Sequence, residues 1–138
     1  MTKIVYDMNT IKFISAFQTL TKTKLKDCIM TPRTLLFIVE EGELRKAVGK
    51  RALNVKMLAK TFNRKIKIVE FSTDVLKFVT NLIRPLQIKK IEEKEGIILI
   101  TPPDTKTRGY LIGKGGSSLQ QMQQIVKRHF DIKEIKVI

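Results

Sequence analysis

The sequence predicts an α+β protein built from two tandem units. Three observations carry this: one order of elements occurs twice, apolar residues recur at matching places, and each copy holds a glycine turn between two helical patterns. Each half reads helix, strand, strand, short helix, glycine turn, helix, strand. Leu35-Leu36-Phe37-Ile38-Val39 aligns with Ile97-Ile98-Leu99-Ile100-Thr101 at an offset of 62. At that same offset of 62, Ile14, Phe17 and Leu20 fall on Leu76, Val79 and Leu82. Ala47-Val48-Gly49-Lys50 aligns with Leu111-Ile112-Gly113-Lys114 at an offset of 64, and Val55 and Leu58 then fall on Leu119 and Met122. Ile66-Lys67-Ile68-Val69 aligns with Ile135-Lys136-Val137-Ile138 at an offset of 69. The offset changes only between elements, as when loops absorb insertions.

In the first half, Phe13, Ile14, Phe17 and Leu20 recur at helical spacing and predict a helix over 10–21. Leu25–Met30 and Leu35–Val39 read as strands joined at Thr31-Pro32-Arg33. Gly42–Val48 reads as a short helix. Ala52–Phe62 is a second helix with Val55, Leu58, Ala59 and Phe62 on one face, and Ile66–Phe71 closes the half as a strand. The second half opens on Ser72-Thr73-Asp74, residues suited to a helix N-cap. A helix over 74–84 stops near Pro85, and Leu86–Glu92 and Gly96–Thr101 follow as strands around a charged turn. Pro102-Pro103 marks a loop. Thr105–Ile112 is a short helix, Ser117–Phe130 a longer one and Ile132–Ile138 the last strand. The junction at Phe71–Thr73 has no Gly or Ser tract, so the expected units are 1–71 and 72–138 in a fixed arrangement.

Lys and Arg number 27 against 13 Asp and Glu, a net charge of +14 in 138 residues. That excess points to a polyanionic partner, nucleic acid before an anionic membrane surface. A general solubility or high-temperature adaptation explains it less well, because such surfaces add Glu along with Lys. Cys28, the sole cysteine, sits beside Ile29 and Met30 and reads as a buried strand thiol. No intramolecular disulfide can form, which fits a reducing cytosol. Asp7, Asn9 and Lys12 interrupt any signal-peptide core, and no apolar run approaches the length of a bilayer span. The expectation is a cytoplasmic protein with no membrane partner.

The most informative stretch is Ile112-Gly113-Lys114-Gly115-Gly116. A glycine-rich turn opening a helix lets backbone N–H groups approach a phosphate, and Lys114 adds a positive charge. This Gly113-Lys114-Gly115-Gly116 turn, with its flanking elements, resembles the G-x-x-G loop of KH domains, which clamps the backbone of a few nucleotides. The order of strands before helices resembles the type II, bacterial-type variant. Two such domains filling about residues 4–138 resemble the archaeal NusA-like transcription factors. Val39-Glu40-Glu41-Gly42-Glu43-Leu44, running into Ala47-Val48-Gly49-Lys50, and Asn54-Val55-Lys56 are similar to that family's first KH unit. The resemblance implies an α/β sandwich in each unit, a three-stranded mixed sheet with helices packed on one face.

The first copy departs from the motif: it reads Gly49-Lys50-Arg51-Ala52. Ala52 would weaken phosphate contact if its position needs positive φ. As the start of a helix it would be comfortable, and the loss mild. Charge runs the other way. Residues 1–71 hold 15 basic and 6 acidic side chains, net +9, and residues 72–138 hold 12 and 7, net +5. Arg45, Lys46, Lys50, Arg51, Lys56 and Lys60 crowd the first loop and its helices. The second loop would thus supply geometry and the first more of the attraction. Lys56 and Lys60 read equally well as a solvated helix face.

The expected RNA-binding residues are Ile112, Gly113, Lys114, Gly115 and Gly116 with Arg108 and Lys106 before them, and Gly49, Lys50 and Arg51 with Arg45 and Lys46. Bases would lie along a groove between the helix from Ser117 and the nearby strand, with Leu111, Ile112, Leu119 and Met122 as candidates for its floor, most of them expected to be core residues. The chain has no Trp and only Tyr6 and Tyr110, neither in a loop, so recognition by aromatic stacking is not expected. Gly109–Gly115 fails as a nucleotide-binding P-loop: three residues separate Gly109 from Gly113 where four are needed, and Gly115 stands where Ser or Thr would hold magnesium. One His and one Cys support neither a metal site nor a nucleophile–base pair. Glu92, Glu93 and Glu95 read as a solvated hairpin turn, and His129 as a helix-end residue near Phe130. A non-enzyme is expected, with no cofactor and no small-molecule substrate.

The family resemblance implies a factor in transcription elongation or termination that binds single-stranded RNA and has RNA polymerase as a further partner. A ribosome-associated or ribosome-assembly factor is a second reading, since type II KH modules occur there too. A protein-interaction scaffold that has lost RNA binding is a third, and the intact second loop argues against it.

Overall fold

A computed structural model of the protein describes residues 6–31 and 34–138. The chain divides into two compact units, one ending at Ser72 and one running from Thr73 to Ile138. The turn residues Pro32 and Arg33 lie outside the described residues.

The first unit runs α1 (Met8–Thr21), β1 (Leu25–Met30), β2 (Thr34–Val39), α2 (Leu44–Val48), α3 (Leu53–Phe62) and β3 (Lys65–Glu70). Asp7 caps α1 by accepting the Thr10 N–H at 2.8 Å. β2 is the central strand, antiparallel to β1 and parallel to β3. The predicted mixed sheet is present. Leu35, Phe37 and Val39 of β2 face the helices and pack with Phe17, Cys28, Ala47, Leu58 and Ile66. Phe17 stacks on Phe37 with ring centroids 4.2 Å apart.

The second unit repeats this order: α4 (Val75–Ile83), β4 (Lys90–Lys94), β5 (Ile97–Thr101), α5 (Thr105–Ile112), α6 (Ser117–Lys127) and β6 (Glu134–Val137). Asp74 caps α4 through the Leu76 N–H. β5 is central, antiparallel to β4 and parallel to β6. Ile98, Ile100, Phe78, Leu111, Val126 and Ile135 are buried in this unit.

Several boundaries move from the sequence expectation. The strand expected over Leu86–Glu92 is instead Lys90–Lys94, because Lys94 pairs directly with Ile97 across a two-residue turn. Both turn residues, Glu95 and Gly96, have positive φ (52° and 83°), the chemistry of a tight hairpin. Glu92 and Glu93 therefore belong to the strand and not to the turn. Glu92 meets Lys90 at 3.2 Å and Lys94 at 3.6 Å on one face of the sheet, as a period of two requires. α6 ends at Lys127, three residues before the expected Phe130. Arg128, His129 and Phe130 wind off in turns, their amides donating to Ile125, Val126 and Val126 carbonyls.

The internal alignment also shifts by one residue in the central strands. Leu35 pairs with Ile66, and Ile98 pairs with Ile135. The offset of 69 holds for β3 and β6, so β2 corresponds to β5 at 63 and not 62. Leu35 and Phe37 then match buried Ile98 and Ile100, whereas an offset of 62 would set them on half-exposed Ile97 and Leu99. A slip of one residue exchanges the two faces of a strand.

Candidate nucleic-acid interface

In the second unit, α5 is started by Asp104, whose carboxylate accepts the Thr107 N–H at 2.7 Å. That bond holds the Asp104 pKa below its ordinary value. The helix stops at Gly113, with φ 74° and ψ 172°, where the Gly113 amide still donates to Gly109. Lys114, Gly115 and Gly116 form one 3₁₀ turn, with Gly115 (φ 64°, ψ 20°) and Gly116 (φ 78°, ψ 11°) left-handed. The Gly116 amide donates to Gly113 and the Ser117 amide to Lys114. Among the described hydrogen bonds, the Lys114 and Gly115 amides have no acceptor within the chain. The turn thus brings two unpaired N–H groups and a lysine to the start of an 11-residue helix. Such a terminus attracts anions.

The first unit has nearly the same backbone without the same residues. Gly49 adopts φ 80° and ψ 168°, Arg51 φ 53° and ψ 34°, and Ala52 φ 58° and ψ 29°. Ala52 does not begin the helix; it is left-handed, and α3 starts at Leu53. The expected comfort of alanine is therefore corrected: the position carries the positive φ that glycine holds at 116, a strain of about 1–2 kcal/mol for an L-residue. A contact that sequence reasoning did not use supports the turn. The Asn54 amide packs on Gly49 and donates to the Lys46 carbonyl at 3.2 Å, tying the start of α3 to the end of α2. Ser118 occupies the matching place against Gly113.

Arg45, Lys46, Lys50 and Arg51 gather around the first loop, and Lys106, Arg108 and Lys114 around the second; all are exposed. None forms an ion pair among the described residues, whereas Lys90, Lys94 and Lys136 all do. Lys56 and Lys60 are exposed on α3. Ile112 and Leu119 are half-buried and can border a ligand. Leu111 and Met122, two of the four candidates for the groove floor, are 2% and 7% exposed and belong to the core, as expected of most of the four. Sequence reasoning set Tyr110 aside, yet it stands exposed on α5. Among the described residues no three His, Cys, Asp or Glu side chains cluster to hold a metal ion. Among the described residues no helix is long and apolar enough to cross a membrane.

No protein-family model matches the chain. The probable transcription termination protein NusA of Methanocaldococcus jannaschii is 31% identical over 141 residues, covering 100% of this chain and 77% of that one. The chain belongs to the archaeal NusA family. The NusA relative of Thermoplasma acidophilum, described in the same words, is 26% identical and covers 99% of this chain and 97% of its own. Among solved structures, the crystal structure of APE1850 matches with a TM-score of 0.73 and 25% identity, over 96% of this chain and 100% of that one. The two three-stranded mixed sheets with their helices, and the match to that solved structure, are consistent with two KH-like α+β units.

Proposed function

We propose that this NusA-family protein binds single-stranded RNA through its two KH-like loops and acts in transcription elongation or termination. Residues 1–71 form KH domain 1 and residues 72–138 KH domain 2. The observation that carries the reading is the Gly113–Gly116 turn, where the Lys114 and Gly115 amides have no acceptor among the described residues and stand beside the exposed Lys114. A phosphate held there receives N–H groups and a cation together, the recognition mode of a KH loop. Lys106 and Arg108 attract neighbouring phosphates. Gly49, Lys50 and Arg51, with Arg45 and Lys46, form a second contact of similar backbone shape, and two linked contacts on one strand raise affinity through effective concentration. The protein works as a binding factor in the cytoplasm, without catalysis, and RNA polymerase is its further partner.

The test is fluorescence anisotropy with an unstructured single-stranded RNA, the matching DNA and duplex RNA at two salt concentrations. Wild type is compared with Lys114→Asp plus Gly115→Asp and with Lys50→Asp plus Arg51→Asp, with circular dichroism checking the fold. Single-stranded RNA should bind best, and affinity should fall steeply with salt as counterions are released. The second-loop variant should lose most of the affinity. Folded variants that bind like wild type would show that the loops are structural turns. Preference for structured ribosomal RNA would favour the ribosomal reading.

A further inference from the structure

Three neighbours on α5 share one exposed face. At 100° per residue, Lys106, Gly109 and Tyr110 fall within one third of the helix circumference, away from buried Leu111. Tyr110 is 57% exposed, and its hydroxyl has no hydrogen-bond partner among the described residues. The ring is not spent on the core, in contrast to Phe17, Phe37 and Phe78, which are fully buried. Gly109 is a second, independent sign. Glycine inside a helix is less favourable than alanine, and a Cβ at 109 would meet nothing within 4 Å. No packing within the unit calls for glycine there. Its effect is to leave bare backbone next to Tyr110, four residues before Gly113 opens the loop.

We propose that Tyr110 is a stacking platform for one unpaired base of the RNA, on the nucleotide next to the phosphate held by the Gly113–Gly116 loop. The ring takes the base face, bare Gly109 lets the ribose lie close to the helix, and Lys106, one turn away on the same face, meets the adjoining phosphate. Stacking tolerates any base, because each has a π-face. The first unit lacks this subsite: its positions matching Gly109 and Tyr110, at the loop offset of 64, are Arg45 and Lys46. The second unit therefore holds a base where the first supplies only charge. This inference rests on the RNA-binding reading and replaces the sequence expectation that stacking plays no part.

The experiment uses the full chain and an unstructured RNA with 2-aminopurine placed at successive positions. Wild type should quench the fluorophore at one position. Tyr110→Ala should abolish that quenching and weaken binding about tenfold, within the range seen when a stacked aromatic is removed. Tyr110→Phe should rescue both, because the ring carries the contact. Tyr110→Lys, which copies the first unit, should gain salt dependence without recovering quenching. Because Tyr110 is exposed, none of these changes should move the thermal midpoint. Unchanged affinity and quenching in Tyr110→Ala, while Lys114→Asp plus Gly115→Asp still weakens binding, would overturn the platform and leave the RNA reading intact. A Tyr110→Phe variant as weak as Tyr110→Ala would also overturn it, by assigning the effect to the hydroxyl. Failure of wild type to bind the RNA at all would refute the underlying reading itself.

Discussion

Replacing Gly113 by alanine should damage the protein far more than the same change at Gly115, two residues on. Gly113 combines φ 74° with ψ 172°, a region essentially closed to L-residues. A Cβ there would also stand 2.8 Å from the Ser118 amide nitrogen, which is backbone and cannot swing aside. Strain of about 1–3 kcal/mol adds to overpacking of about 1–3 kcal/mol, so a loss of about 2–6 kcal/mol is expected. Gly115 is left-handed with φ 64° and ψ 20°, and a Cβ there meets nothing within 4 Å. Its replacement should cost about 1–2 kcal/mol. The first unit already carries out the milder substitutions: Arg51 and Ala52 stand at the left-handed positions, whereas Gly49 is kept against Asn54. Urea titrations followed by circular dichroism measure both variants. Equal midpoints for Gly113→Ala and Gly115→Ala would refute the argument.

Gly109→Ala should stabilise the protein by about 0.5–1 kcal/mol, since helix propensity improves and the new methyl meets nothing, yet weaken RNA binding; a denaturation curve and an anisotropy titration together check the opposite signs. Phe37→Ala removes a fully buried ring stacked on Phe17 and should cost about 3–5 kcal/mol, read from the urea midpoint; a loss under 1 kcal/mol would contradict this packing. The Asp104 and Asp7 carboxylates cap α5 and α1, and backbone N–H bonds hold both pKa values below 3.8. A depressed carboxylate stabilises the fold fully above its ordinary pKa, and that contribution disappears as pH falls through the lowered value. Thermal midpoints should therefore drop on the acid side of 3.8, and Asp104→Asn, which keeps a capping oxygen, should drop less; an identical drop would exclude Asp104 as a source.

Local chemistry made much of this protein legible. Asp74 before an apolar helical pattern marked α4, Gly113-Lys114-Gly115-Gly116 marked a glycine turn between two helices, and the excess of Lys and Arg marked a strongly basic chain. Each is a property of a few adjacent residues or of composition, so no partner in space is needed to read it. Tertiary structure decided what depends on such partners. Leu35-Leu36-Phe37-Ile38-Val39 is apolar at every position, so it carries no alternation, and only pairing with β3 fixes which face meets the helices. The start of β4 at Lys90 follows from pairing across Glu95-Gly96. Ala52 took a left-handed conformation because Gly49, Asn54 and the ends of two helices set the path of the turn, overriding alanine's own preference. Leu111 and Tyr110 are adjacent and both apolar in bulk, yet the rotation of α5 against its unit sends one into the core and the other outward. Sequence determines what each residue can do; packing determines which of them remain free to do it.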